Sequence, residues 1–416
     1  MLNKCFFERR RSSPFAIAVL MLFLALHVRA EHWVSSWSAS PQPLWDGNFT
    51  LDTRLPFHFW NQTVRQVARI SLGGDLARIE ISNRYGNEPL LIGAASFALY
   101  AGEGQLAAGT AKTLTFAGEP SVTVPVGASV LSDPLKTSLA DLSEVAVDIY
   151  LPQPTAPATF HWDGLQNAYI ASGNQTGAVT LQTPDIMTPR VFLSGILVDS
   201  PTTKGVVVAY GDSITDGNAS TSNANHRWPD YLAAQLADKD IAVVNAGISG
   251  ARLLLNVMGE NALARFQQDV LGQPGVSSVI VLMGINDIGW PGSEHAPQLP
   301  QVQARDLINA YQQLIAQAHV HGVRIIGATL TPFKGALDET PVHHYYTEDK
   351  EKVRQTVNNW IRNSGAFDEV VDFDKLTRDP KQPSRMRKEY DSGDHLHPND
   401  AGYKAMAEMV SLKGLI

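Results

Sequence analysis

The segment Gly205-Val206-Val207-Val208-Ala209-Tyr210-Gly211-Asp212-Ser213-Ile214-Thr215-Asp216-Gly217 is a short β-branched run that stops abruptly at Gly-Asp-Ser. A continuous apolar run of this length reads as a strand buried on both faces, and the Gly-Asp-Ser that ends it reads as a tight turn. In open α/β sheets ligands bind in the crevice beyond the carboxyl ends of the strands, so this turn would deliver Ser213 to that crevice. Ser213 is the candidate nucleophile.

The residues that follow repeat the pattern. Apolar runs at Val206 to Tyr210, Ile241 to Val244, Val279 to Met283, Arg324 to Leu330 and Glu369 to Phe373 alternate with helical periodicity near 228–239, 260–271, 303–320, 347–362 and 400–412. Alternation at this spacing predicts βαβ units and an α/β domain: a parallel sheet with helices on both faces and a flavodoxin-like strand order. Three blocks come after later strands or before the last helix: Asn245-Ala246-Gly247-Ile248-Ser249-Gly250, Gly284-Ile285-Asn286-Asp287 and Asp394-His395-Leu396-His397-Pro398-Asn399. All belong at the edge that carries Ser213. Acyl transfer needs a nucleophile, a base, a carboxylate to orient the base and donors for the oxyanion, and these blocks hold residues of each kind.

With these blocks in this order, residues 204–416 resemble the SGNH hydrolases, also called the GDSL esterase family. The resemblance implies that Ser213 is the nucleophile and its backbone N–H an oxyanion donor. It implies further donors in the Gly250 N–H and the Asn286 amide, with Asp394 as orienting carboxylate and His397 as general base. Ile214 stands where the family's name motif has leucine, a conservative change. His395 is a rival base, but the Asp-x-x-His spacing and the following Pro398 match the family at His397. Asp212 has a structural role open to it, hydrogen bonding the turn that presents Ser213. The resemblance implies hydrolysis without a cofactor or metal. The remaining histidines, His319 and His321 at a helix end and His295, His343 and His344 in loops, lack the converging ligands that a metal needs. Two longer loops, Gly289 to Gln301 and Thr331 to Tyr346, should rim the site and bring Trp290, Phe333, His343, His344, Tyr345 and Tyr346 to it as specificity elements or as packing.

Before residue 204 the period is two. Runs at Val64 to Leu72, Leu76 to Ser82, Leu91 to Leu99, Lys112 to Phe116, Ser143 to Leu151 and Arg190 to Val198 are separated by Gly, Pro, Asn and Asp, which predicts an all-β, jelly-roll-like sandwich over 31–203. The composition shift at Thr183 to Pro189 and Pro201 to Lys204 marks the boundary with a second domain at 204–416. Trp33, Trp37, Trp45, Phe57, Phe59, Trp60, Phe160, His161 and Trp162 would serve either core and interdomain packing or a sugar-stacking surface. Packing is the expectation, for these and for His58, because buried aromatics dominate sandwich cores.

Residues 1–30 read as a signal peptide, with a basic head at Lys4 and Arg9 to Arg11, an apolar run from Phe15 to Leu26 and a small-x-small site at Val28-Arg29-Ala30. The expectation is a secreted or periplasmic protein with no stable membrane span once the signal is cleaved. Cys5 is the single cysteine and lies in that segment, so the mature chain would have neither disulfide nor thiol nucleophile. A net charge of −8 repels phosphate backbones and excludes nucleic acid as a partner, leaving a small-molecule or polysaccharide ester as the expected substrate. An N-terminal sandwich before an SGNH domain is similar to secreted carbohydrate esterases that remove acetyl groups, which makes short acyl esters the leading expectation. The alternatives are a lipase or lysophospholipase acting on longer chains, and a catalytically inactive glycan-binding protein. No feature of the sequence sets an oligomeric state.

Overall fold

A computed structural model describes residues 31–416 except 46–48, 50 and 341, so the signal segment read above lies outside the described residues. In the C-terminal half five parallel strands are ordered Ile241–Gly247, Gly205–Gly211, Val276–Leu282, Arg324–Ala328 and Glu369–Val371, the 2-1-3-4-5 order of a flavodoxin-like sheet. Every residue of Gly205–Gly211 is buried, as the unbroken apolar run requires when helices cover both faces. The helix Ala304–Val320 shows how the cover is made. Its buried residues Leu307, Ala310, Tyr311, Leu314, Ile315 and Ala318 recur at three- and four-residue spacing, one apolar stripe laid on the sheet. Where sequence periodicity gives one helix over 260–271, the chain forms α-helix at Ala262–Phe266 and a wider π turn at Gln267–Leu271. Among the described residues, no helix is long and apolar enough to cross a membrane.

The N-terminal half is a sandwich-like pair of antiparallel sheets. One sheet runs Trp33–Ser38, Leu193–Asp199, Gly74–Ser82, Ser129–Leu131; the other contains Ala168–Ser172, Gln62–Arg69, Glu144–Leu151 and Ala94–Gly102 in that order. Two-residue alternation is clearest in Gly74–Ser82, where Ala77, Ile79 and Ile81 are buried. The run read as one strand over Leu91 to Leu99 breaks at Gly93. Leu90–Ile92 pairs with Val122–Val124 while Ala94–Gly102 joins the larger sheet, and a side chain at Gly93 would press on Tyr150 and Pro152 at 3.0 Å. The reading of all the aromatics as packing is corrected for two of them. Phe59 and Phe160 are buried, but Phe57 is 93% and Trp60 63% exposed in a segment outside the named strands, held there by the isolated bridge of Phe59 to Thr155; His58, also read as packing, is exposed with them.

The two halves meet along one continuous apolar cluster that includes Val34 on one side and Val206 on the other. Polar contacts stitch its margins: Ser35 N–H donates to the Pro274 carbonyl (2.9 Å), Ser38 Oγ to the Asn245 carbonyl (3.0 Å), and Val243 N–H to Ser71 Oγ (3.2 Å). Arg84 pairs with Glu260 at 2.6 Å. Trp45, Phe49, Phe160 and Trp162 form an edge-to-face group that reaches Trp290 in a loop of the C-terminal half. Residues 201–416 expressed alone would bare this surface. They should aggregate or melt more than about 10 °C below the full chain in a thermal scan; equal melting temperatures would show that the halves do not stabilise each other.

Candidate active site

The nucleophile turn is built by its neighbours. Asp212 caps the short helix Ser213–Asp216, its Oδ1 accepting from Ile214 N–H at 3.1 Å, which is the turn-stabilising role open to it from sequence. Any side chain at Gly211 would collide with Thr215 and the Leu282 carbonyl, so only glycine lets the strand turn here. Ser213 Oγ lies 2.8 Å from His397 Nε2, and His397 Nδ1 lies 2.6 Å from Asp394 Oδ2. Asp394 also accepts the backbone N–H of Leu396 (2.9 Å) and His397 (2.8 Å) through Oδ1, a local turn that presents ring and carboxylate to each other. A carboxylate at Nδ1 places the proton there and leaves Nε2 as the acceptor facing Ser213. His395 instead turns to Asp391, 2.6 Å from its Nδ1, with backbone φ of +63°, and does not reach Ser213.

Three potential donors converge on the same cavity, whose volume is about 530 Å³ and whose lining includes Ser213, Gly250, Asn286, Asp394 and His397. Gly250 has φ of +77°, and a β-carbon there would collide with Met258. Among the described residues neither Ser213 N–H nor Gly250 N–H has a hydrogen-bond acceptor. The Asn286 amide is oriented from both ends: Nδ2 donates to the Ala251 carbonyl (3.0 Å) and Oδ1 accepts from Tyr345 Oη (2.7 Å). That pairing leaves the second Nδ2–H to the cavity.

The rim differs in part from the sequence reading. Trp290 and Tyr345 line the cavity, but Phe333 is buried behind Tyr345 and Tyr346, and His343 and His344 are exposed. The second loop instead turns Leu337, Thr340 and Val342 inward, and the first adds His295. Leu51 and Trp162 of the N-terminal half complete the wall.

Sequence reasoning missed how that half supports the site. His161, read as packing, is buried with Nδ1 2.9 Å from the Ser40 carbonyl and Nε2 3.0 Å from Asp216 Oδ1. Both ring nitrogens therefore face oxygen partners, one on each half of the chain. Asp216 Oδ2 accepts from Ser249 N–H (2.8 Å), which fixes the residue preceding Gly250. Ser249 Oγ lies 3.0 Å from both Asp216 and Asp163, and one hydroxyl proton cannot serve two carboxylates. Burial, then the Asp216 charge, pushes the Asp163 carboxyl up, while hydrogen bonds from Asn218 and Ser249 oppose the shift. The available signal was the run Phe160-His161-Trp162-Asp163, in which ionisable side chains interrupt a core-like strand.

The profile of the GDSL-like lipase/acylhydrolase family matches residues 207–410. These residues form a GDSL-like lipase/acylhydrolase domain. The protein is accordingly a carboxylic ester hydrolase. Solved structures similar to it include an aryl esterase from M. smegmatis (15% identity, 51% of this chain and 100% of that one, TM-score 0.40). Others are an acetyl xylan esterase (18% identity, 49% and 96%, TM-score 0.36) and a GDSL-like lipase from Bacteroides thetaiotaomicron (15% identity, 49% and 85%, TM-score 0.37). Comparison with curated proteins found no match.

The carboxylates of the acylhydrolase domain are held in opposite states. Burial would raise Asp394, but the His397 ring and the backbone N–H groups of His397 and Leu396 outweigh it and keep the group far below the usual carboxylate range. Burial pushes Asp212 up to about 7, against the single hydrogen bond from Ile214. A raised folded pKa means the native state keeps a proton that the unfolded chain releases, so stability falls as pH climbs from about 3.8 to about 7. Asp212→Asn cannot ionise and can still cap the helix. Its melting temperature should therefore gain on that of the wild type across this window, by an amount on the order of a few kcal/mol in stability. A pH-independent difference between the two would show that folding does not raise the Asp212 pKa.

Proposed function

We propose that the chain is an exported serine esterase that cleaves short-chain, chiefly acetyl, carboxylic esters through an acyl-enzyme, esters of carbohydrates among them. In this reading residues 1–30 are a cleaved signal, 31–203 a sandwich domain and 204–416 the hydrolase domain. The observation that carries it is the chain of contacts Asp394–His397–Ser213, at 2.6 and 2.8 Å. Ser213 Oγ attacks the ester carbonyl carbon while His397 Nε2 takes its proton. Asp394, ionised, stabilises the resulting imidazolium. The oxyanion receives the Ser213 and Gly250 N–H groups and the remaining Asn286 Nδ2–H. Collapse breaks the bond to the alcohol oxygen, to which His397 returns the proton, and a water repeats the sequence on the acyl-enzyme to release the acid. Trp162 and Trp290 are in the cavity lining, and aromatic side chains there suit a sugar ring as the alcohol portion.

One observation favours the reading of a lipase or lysophospholipase. Beyond Gly250 lies a second cavity of about 530 Å³ with Leu44, Phe49, Val257 and Leu299 in its walls, room for a longer acyl chain. A series of p-nitrophenyl esters from acetate to dodecanoate decides between them: kcat/KM should peak at the short end, and a peak at decanoate or beyond would select the lipase. The third alternative, an inactive glycan-binding protein, leaves the Ser213–His397 contact without a use.

Ser213→Ala should lower kcat/KM on p-nitrophenyl acetate by about a thousandfold or more, and a fluorophosphonate should add its mass to the wild type but not to the variant. Loss of one hydroxyl should cost about 1 kcal/mol or less in stability, so the variant should melt close to the wild type. Retained turnover or labelling would move the nucleophile elsewhere. Asn286→Ala should lower kcat roughly a hundredfold with KM little changed, because the charge its amide meets exists only in the transition state. A raised KM at constant kcat would make Asn286 a contact to the ground state instead.

A further inference from the structure

The cavity beyond Gly250 adjoins the one at Ser213, the two sharing Gly250, Met258, Trp290 and His295 in their walls. Its walls are largely apolar, yet Arg252 is among them. Arg252 is 3% exposed; its Nε and Nη1 are closed off from solvent without a hydrogen-bond partner among the described residues, and Nη2, also without one, is the nitrogen open to the cavity. No described carboxylate forms an ion pair with it.

The other deeply buried arginines are treated differently. Arg65 pairs with Asp148 and donates to the carbonyls of Gly104 and Ala178; Arg265 pairs with Asp269 and donates to those of Ala246 and Gly211. Arg354 pairs with Glu351 and Asp374 and donates to Leu330. Arg190, 4% exposed, has no ion pair among the described residues but donates to the carbonyls of Val67 and Gly164 and lies over the Trp37 ring. A guanidinium out of water requires acceptors, and each of these four has them from the chain itself, three of them with a countercharge as well. Asp287 is near enough for its charge to act on Arg252 but forms no hydrogen bond or ion pair with it, and its two oxygens accept Leu253 N–H (2.7 Å) and Leu254 N–H (3.0 Å). Those bonds hold the backbone that carries Arg252 and leave its donors unmet.

We propose that Arg252 is the specificity residue of a second subsite, which takes a carboxylate on the substrate. The preferred esters then carry a free carboxylate on the part that lies beyond Gly250, in either the acyl group or the alcohol. The proposal rests on the ester-hydrolase reading of Ser213. A carboxylate supplies charge and acceptor oxygens together, which a neutral carbonyl or an alkyl chain does not. The net charge of −8 does not oppose this: exposed charges more than about 8 Å away are screened by salt, while Arg252 would act in contact.

Two matched pairs of esters test it in the full chain: phenyl acetate against 4-acetoxybenzoate for a carboxylate on the alcohol side, and p-nitrophenyl butyrate against mono-p-nitrophenyl glutarate for one on the acyl side. The wild type should prefer the charged member of at least one pair in kcat/KM by about ten- to hundredfold, and Arg252→Gln should lower that charged-to-neutral ratio by a similar factor. Calorimetry on Ser213→Ala, where turnover cannot interfere, should show binding of 4-acetoxybenzoate or glutarate that weakens when Arg252→Gln is added. No preference in either pair by the wild type overturns the proposal without any variant, as does an Arg252→Gln ratio equal to the wild type's. Should Arg252→Gln fail to fold, Arg252→Lys replaces it, keeping the charge while changing the fork of donors, and an unchanged ratio together with unchanged binding would again overturn the proposal. A wild type that hydrolyses none of the four esters would instead refute the reading of Ser213 on which the proposal rests.

Discussion

The Asp216 carboxylate is the point through which the structure is tied together. It is 3% exposed and accepts from His161 of the N-terminal half and from both the N–H and the hydroxyl of Ser249, while its own backbone belongs to the short helix begun by Ser213. One buried group thus sets the distance between the serine turn and the loop that carries Gly250, and does so with help from the other half of the chain. A buried carboxylate tolerates little misplacement of its partners, since each donor removed leaves charge without compensation in a medium of low dielectric. The N-terminal sheets are therefore part of the frame of the site, through His161 and Asp163, as well as part of its wall, through Leu51 and Trp162.

Around that frame, similar side chains are held in different states by their surroundings. Asp394 has four hydrogen-bond donors from its own segment, from Ser392, Leu396 and His397, and stays ionised; Asp212, with a single donor, and Asp163, beside another carboxylate, are driven toward the protonated form by burial. The difference follows from donor count and burial rather than from residue type. The same contrast separates Arg252 from Arg65, Arg265 and Arg354: equal burial, with partners for three and none for the one beside the cavity.

Much of this was legible in the chain. Val206–Val208 and the later apolar runs identify the parallel strands because strands covered on both faces need continuous apolar sequence. The blocks at Ser213, Gly250, Asn286 and Asp394–His397 could be located because each follows a strand or precedes a helix, where side chains reach a shared edge. The break at Gly93 was not legible, since it depends on Tyr150 and Pro152 approaching from another strand. The outward positions of Phe57 and Trp60 were equally hidden, because no period governs an irregular segment.

The sequence by itself determined the strand and helix types, the 2-1-3-4-5 sheet and the identity of the residues at its carboxyl edge, because these follow from local period, turn chemistry and spacing along one chain. Only the tertiary structure decided that His397 rather than His395 faces Ser213, that Tyr345 orients the Asn286 amide, and that His161 and Asp163 reach across to Asp216 and Ser249. Those are contacts between residues 55 to 184 positions apart, with 86 between Asp163 and Ser249. No local pattern encodes such pairs; the first two exist once the C-terminal sheet brings its loops to one edge and the others once the halves are packed together, where burial makes each unpaired polar group costly and so selects the partner.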